Sequence, residues 1–333
     1  MTDLPRTSRA LWFTGPCEIE LRPSEVRSPG AGEVVVQATA SLISAGTEMI
    51  VYRGQTSADD RMPPTSEGTF PFPVKYGYQT VGRIIAVGSG VTDFAVDDRV
   101  FARYPHAEFF TIAALPTLLV KLPDGLDDAS ATFINLARVA LTGLLDVPVR
   151  VGEFAVVFGQ GIVGMMTARL AKLSAAKVVV VDNFAARREL ALKYGVDAAI
   201  APADAVATVL ELSGGRGADV VFEASGAPAA LQAAIEISAT EAEIVALSLY
   251  GTQTVALRLA PEFHYRKLRI TSSQAGDQRR WDWARRTQAT VALLEKLSVA
   301  DMVGAQVPFA DAAKAYDMVD HNPAEVLGVV LTY

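Results

Sequence analysis

The segment 154–182 constrains this chain more than any other. An apolar, strand-like run, Phe154-Ala155-Val156-Val157-Phe158, opens directly into Gly159-Gln160-Gly161-Ile162-Val163-Gly164. Beyond the third glycine, Met165, Met166, Ala168, Leu170, Ala171 and Leu173 recur at helical spacing, and a second apolar run from Lys177 to Val181 ends in Asp182. Strand, glycine turn, helix, strand and acid in this order make a dinucleotide-binding crossover. The acid follows the first glycine by about 20 residues, as a ribose-binding carboxylate should.

Each position in the turn has a physical task. Gly159 allows the tight turn off the strand, Gly161 lets the backbone approach a pyrophosphate, and Gly164 lets the helix lie on the sheet. The pyrophosphate then rests at the start of the helix, at Ile162 and Val163, where free N–H groups and the helix dipole favour negative charge. Asp182 accepts from a ribose 2′-OH but repels a 2′-phosphate, so NAD is expected over NADP. Asn183 and Arg187 complete the candidate set. Arg187 and Arg188 either offset that repulsion or form the solvated face of the next helix.

At 333 residues, half of them hydrophobic and a fifth charged, the chain suits two globular domains. A net charge of −7 gives no overall attraction to nucleic acid or to an anionic membrane. No run of about 18 apolar residues occurs and the first ten residues are polar, so a cytoplasmic location is expected. The single cysteine, Cys17, cannot form an internal disulfide and reads as incidental.

The first 125 residues read as short β elements punctuated by Pro and Gly, such as Glu33–Ala38 and Gly82–Gly88, and imply a barrel-like unit. From Asp127 the pattern changes. Residues 127–146 are helical, and strands then alternate with helices through 177–182, 197–200, 219–223 and 243–249, the signature of a parallel doubly wound sheet. Helices are expected at 282–298 and 309–319, and a buried strand at Glu325–Thr332 that can return to the first domain. The expected division is 1–125, completed by 271–333, and 126–270. The long polar loop 53–72 is either a functional loop or an insertion.

These residues resemble the medium-chain dehydrogenase/reductase superfamily along nearly the whole chain. The resemblance rests on Gly77-Tyr78-Gln79-Thr80-Val81-Gly82 leading to Val87-Gly88, on Asp98-Arg99-Val100, and on the central crossover. It implies an α/β fold with a GroES-like β-barrel domain and a Rossmann domain with a doubly wound parallel sheet. Zinc-dependent members carry Gly-His-Glu-x-x-Gly where this chain has Tyr78 and Gln79, and Cys-Gly-x-Asp where it has Ala45-Gly46-Thr47-Glu48. The four-cysteine lobe that commonly follows Asp-Arg-Val is missing, since residues 101–112 hold no cysteine. A catalytic zinc needs about three N, S or O ligands. One cysteine and the scattered His106, His264 and His321 leave no such pattern, so no metal is expected.

Without a metal, a side chain must polarise the substrate oxygen and carry its proton. Tyr78, at the place of the family's ligand histidine, either donates from its hydroxyl or simply fills the vacated space. Thr47 matches the family's proton-relay hydroxyl, and Lys75 can lower the phenol's pKa. His106 is a proton shuttle or a structural histidine. Glu48 orients Thr47, meets a polar substrate together with Gln79, or serves as a helix N-terminal charge. Arg138, on an apolar helix, needs a partner in cofactor, substrate or carboxylate.

Strand ends supply further cofactor candidates: Ala224 and Ser225, Leu247 and Ser248, and Ser272 with Ser273 and Gln274. The arginine- and tryptophan-rich segment 276–286 is a solvated helix face, or else Arg279, Arg280 or a tryptophan selects an acidic or ring-shaped substrate. The β-prone Thr254–Leu259 can pair across the two-fold axis of a homodimer. The expected activity is zinc-independent hydride transfer between NAD(H) and a secondary alcohol or ketone of a polyol-like or elaborate biosynthetic small molecule. The Ser44–Glu48 and Gly77–Gln79 stretches are similar to zinc-lacking relatives, a bacteriochlorophyll-pathway branch among them. The alternatives are NAD(P)H-dependent reduction of an activated C=C bond, as in quinone and enoyl reductases, and non-catalytic NAD binding.

Overall fold

Strands that turn alternate side chains between core and solvent build the first part of the chain. The computed structural model describes residues 4, 5, 7–56, 62–174, 177–276, 278 and 280–333. In chain order the first part contains β1 (Thr7–Gly15), β2 (Glu18–Glu25), β3 (Glu33–Leu42), α1 (Thr47–Tyr52), β4 (Glu67–Gly68) and β5 (Val74–Lys75). It continues through β6 (Thr80–Val87), β7 (Arg99–Ala102), β8 (Phe109–Ala113), β9 (Leu119–Lys121), α2 (Asp128–Ala131) and α3 (Ile134–Asp146). Residues 57–61 of the polar loop lie outside the described residues.

The middle of the chain alternates strand and helix. It runs β10 (Phe154–Phe158), α4 (Ile162–Lys172), β11 (Lys177–Val181), α5 (Ala185–Lys193), β12 (Ala198–Ile200), α6 (Ala205–Leu212), β13 (Ala218–Glu223), α7 (Pro228–Ile237), β14 (Ser238–Ala246), α8 (Glu262–Tyr265) and β15 (Arg269–Ser272). The strands form one parallel sheet in the order β12-β11-β10-β13-β14-β15. Every residue of β10 is buried, as a central parallel strand covered on both faces requires.

The chain ends with α9 (Trp283–Lys296), β16 (Val303–Pro308), α10 (Ala312–His321) and β17 (Gly328–Thr332). β17 runs antiparallel to β3, with Val330 opposite Leu42, and so returns the C-terminus to the first sheet. That sheet has the order β16-β17-β3-β6-β7-β9 with β8 also beside β3, and a smaller one has the order β2-β1-β5-β4. α10 buries Ala315 and Tyr316 in a core with Phe13, Met49 and Leu331.

Two units result, Met1–Asn135 with Trp283–Tyr333 and Leu136–Asp282. Both boundaries fall later than the sequence suggested, and α2 explains the first. Asp128 accepts from Arg99 Nε at 3.0 Å and from Thr39 Oγ1 at 2.6 Å, which fastens α2 to β7 and β3. Thr254–Leu259 forms no strand. Val255 and Leu257 turn to the core of the second unit, and the Arg258 N–H donates to Gln232 Oε1 at 2.8 Å, so the segment follows α7. Among the described residues no helix is long and apolar enough to cross a membrane.

The glycine turn is set by sterics. A Cβ on Gly164 would lie 1.7 Å from the Gly159 carbonyl oxygen, whereas one on Gly161 would meet nothing within 4 Å. Gly164→Ala is therefore expected to cost about 2–3 kcal/mol or more, as overpacking does, while Gly161→Ala leaves stability nearly unchanged. Thermal unfolding of the two variants checks this contrast.

Candidate functional site

The second unit gathers its candidate residues along one sheet edge. The register runs Ile200, Val181, Phe158, Glu223, Ala246 and Ser272 across neighbouring strands. The residues that follow, Asp182, Gly159, Ala224 and Leu247, therefore emerge together at the carboxyl ends, where open α/β sheets bind ligands. Gly159 turns off β10 at φ +83°, and a Cβ there would strike Ser225. Gly161 caps α4 with open space where a side chain would stand, and Ile162 and Val163 open the helix. The first N–H groups of α4 have no helical partner, and such a helix start favours an anion.

Asp182 is held in place before any ligand arrives. Its Oδ2 accepts from the Gln160 N–H at 2.6 Å and its Oδ1 from the Phe184 N–H at 2.8 Å. Arg188 donates to the carbonyl oxygens of Asp182 and Asn183 at 2.8 and 2.9 Å, so it fixes this turn. Arg187 lies 4.7 Å over the Phe184 ring, and burial pushes its pKa down while Asp182 opposes the shift. The expected solvated face is thus a packed one at Arg187.

Glu223, outside the candidate set, organises the neighbouring loop. Its carboxylate accepts from the Ser225 N–H at 2.7 Å, Ser225 Oγ at 2.5 Å and Tyr250 Oη at 2.6 Å. The Glu223 carbonyl accepts from the Leu247 N–H at 2.9 Å and from Ser248 Oγ at 3.4 Å. Ala224 is bound to β10 through Phe158, and Ser272 is exposed at the end of β15. Arg138 is buried on α3.

The first unit holds a buried polar chain. Glu48, in the first turn of α1, is fully enclosed; its Oε1 meets His106 Nε2 at 2.8 Å and the Tyr316 hydroxyl, and its Oε2 accepts from the Ser44 N–H at 3.1 Å. His106 Nδ1 lies 2.6 Å from Ser41 Oγ, which lies 2.8 Å from Tyr333 Oη. One assignment satisfies every donor: Tyr333 donates to Ser41, Ser41 to His106 Nδ1, and His106 Nε2–H to Glu48. Glu48 and His106 are thus fully enclosed and bonded to each other.

Tyr78 donates to Ser44 Oγ at 2.8 Å. Burial pushes its phenol up to about 12, against the Ser44 and Thr47 hydroxyls and Arg103, which favour the phenolate. The Thr47 hydroxyl thus lies beside the Tyr78 phenol. Lys75 does not: its ammonium bonds Glu67 at 2.5 Å and Tyr104 Oη at 3.1 Å. Gln79 is also withdrawn, fully buried with Nε2 donating to the Leu42 carbonyl at 3.3 Å. Positioning by Ser44, Tyr316 and Tyr333 was invisible in the sequence, because no motif or periodicity links them to Glu48.

In segment 276–286, Arg279 lies outside the described residues and Arg280 is exposed, but Arg286 is buried. Trp283 lies under the Arg103 guanidinium at 4.7 Å.

Comparison with known proteins places these features in context. A family model described as zinc-binding dehydrogenase matches residues 163–290. The chain is 30% identical to a D-guloside 3-dehydrogenase of Shigella flexneri, over 98% of this chain and all of that protein. It is 26% identical to a 2-dehydro-3-deoxy-L-galactonate 5-dehydrogenase of Pseudoalteromonas atlantica, over 91% of this chain and 92% of the relative. The fold is similar to that of 2R,3R-butanediol dehydrogenase from Bacillus subtilis, with a TM-score of 0.82 at 20% identity, covering 98% and 99% of the two chains.

The buried phenols make stability depend on alkaline pH. Burial and Glu48 raise the Tyr316 pKa well above its ordinary value, and burial raises that of Tyr333. The unfolded phenol ionises near 10, so the stabilisation is complete below that pH and is lost as pH rises toward the folded value. Each such phenol should add about 1.4 kcal/mol of lost stability per pH unit above about 10. Denaturant unfolding at stepped pH should show this fall, and Tyr316→Phe should make it shallower by one phenol.

Proposed function

Because the chain belongs to the zinc-binding dehydrogenase family of the medium-chain dehydrogenase/reductase superfamily, we propose that it interconverts a secondary hydroxyl and a ketone on a sugar- or polyol-like substrate, using NAD(H) and no catalytic metal. The observation that carries the reading is the cofactor edge: uncovered backbone at Gly161 beside a carboxylate, Asp182, already oriented by two N–H groups. That carboxylate favours a ribose 2′-OH. Similarity to proteins named as guloside and galactonate-type dehydrogenases supports the substrate class.

The family's name implies zinc, and the donor set does not fit it. Ala45 and Tyr78 stand at the ligand positions that the resemblance identifies. Both ring nitrogens of His106 are engaged, by Ser41 and Glu48, and Cys17 is exposed in the turn between β1 and β2. A tetrahedral N/S site with an open position has no set of ligands to draw on.

The cofactor, when bound, supplies the hydride acceptor for oxidation and the hydride donor for reduction. Tyr78 is protonated at neutral pH; when Ser44 Oγ turns to donate to the phenol oxygen, the one phenolic proton is released from Ser44 to the substrate oxygen and passes to it as a ketone is reduced. In the oxidative direction the elevated pKa leaves little phenolate to serve as the base near neutrality, so oxidation should accelerate as pH rises. Ser44 and Thr47 hold the hydroxyl in register. Arg187 beside Asp182 favours the competing NADP-linked reading, because a guanidinium can neutralise a 2′-phosphate.

Parallel NADH and NADPH titrations by cofactor fluorescence separate the two. NADH should bind more tightly and Asp182→Ala should erase the preference; tighter NADPH binding would favour the C=C reductase. With a polyol and glycoside panel, Tyr78→Phe should lower kcat about 10²–10⁴-fold while leaving the NADH Kd unchanged, the usual span for a general acid. Unchanged turnover would reduce Tyr78 to a space-filling residue.

A further inference from the structure

Arg103 follows β7 directly, and Ala102 of β7 pairs with Thr80 of β6, so Arg103 stands across from the segment that carries Tyr78. Its backbone is fixed at both ends. The N–H donates to the Leu118 carbonyl at 2.8 Å, and the carbonyl accepts from Thr65 Oγ1 at 2.7 Å. The guanidinium lies 4.7 Å over the Trp283 ring, within cation–π distance.

What this cation lacks is a counter-ion. Arg53 and Arg99, the partly buried arginines of the same unit, are matched by Asp320 at 2.6 Å and Asp128 at 2.5 Å. Arg103 has one side-chain hydrogen bond, from Nη1 to the Thr117 carbonyl at 3.3 Å, and its buried Nε has none. Among the described residues no carboxylate comes within ion-pair distance of it. Burial lowers its pKa, and the Tyr78 phenol is the group that opposes the shift. A partly desolvated charge without a partner is costly, and a planar guanidinium fork fits a carboxylate or phosphate in bidentate fashion.

We propose that Arg103, held over Trp283 beside Tyr78, recognises an anionic oxygen group on the substrate, so that the chain prefers a sugar or polyol bearing a carboxylate or phosphate to its neutral parent. This rests on the reading of the Tyr78 region as the site of hydroxyl oxidation. Arg103 is a specificity-determining residue: it supplies charge and donors to a part of the substrate that does not react, and leaves the proton to Tyr78.

The test compares a methyl glycoside, the corresponding uronate and the 6-phosphate as substrates with NAD. A charged hydrogen-bond pair should favour an anionic member about 10–100-fold in kcat/KM. Arg103→Met should collapse that ratio toward one, mainly through KM, and Arg103→Lys should keep part of it, since charge persists while the fork is lost. A uronate or phosphate preference identifies the source of the anion. Equal turnover of all three, or an equal loss on all three in Arg103→Met, would overturn the proposal.

A second readout separates it from the wider reading. Titration with the uronate and with 6-phosphate, without cofactor, should change tryptophan fluorescence in the parent protein and in a Trp12→Phe, Trp281→Phe background, but not in Arg103→Met. Such binding with no turnover of any member leaves anion recognition standing and removes the dehydrogenase reading. Turnover of the neutral glycoside without anion preference does the reverse.

Discussion

A carboxylate sealed inside a protein must be neutralised or surrounded by donors, and Glu48 is surrounded. Three elements far apart in the chain supply its partners: the Ser44 N–H from the turn before α1, His106 from the segment before β8, and Tyr316 from α10. Through His106 and Ser41 the same chain reaches Tyr333, the last residue. Removing any one donor leaves a buried carboxyl oxygen short of a hydrogen bond in a low dielectric, which costs more than the loss of an exposed one. The returning C-terminal segment is therefore locked to the strand and helix that carry Ser44, Thr47 and, through Ser44, the Tyr78 hydroxyl.

The second unit relies on sterics instead. Gly164 allows α4 to touch the Gly159 carbonyl, Gly159 turns with positive φ beneath Ser225, and Gly161 remains uncovered. Asp182 and Glu223 then use backbone N–H groups to fix the two loops beside that turn. A rigid edge with one open patch of backbone is what a polyanionic cofactor requires, since ordering the loops on binding would cost affinity.

Local signals made the second unit legible. Its strands are continuous apolar runs, its glycines sit at a spacing with one geometric meaning, and β10, α4 and β11 lie where those signals put them. The first unit was legible as short strands but not as a site. Glu48 and Tyr316 are 268 positions apart, and nothing periodic joins them. Lys75 shows the same limit: proximity to Tyr78 in sequence placed it at the phenol, but β5 is a strand, where near neighbours diverge, and it reaches Glu67 and Tyr104 instead. Arg103 carried no motif at all, and its importance lies in a missing counter-ion, which only packing reveals.

We propose that hydroxyl chemistry proceeds here with the Tyr78 phenol and without a metal. It is tested most directly by measuring the zinc content of the purified chain alongside its NAD-linked turnover, before and after exhaustive dialysis against a chelator. Full turnover with substoichiometric zinc and no change on dialysis is expected. Stoichiometric zinc whose removal abolishes turnover, and whose return restores it, would contradict it.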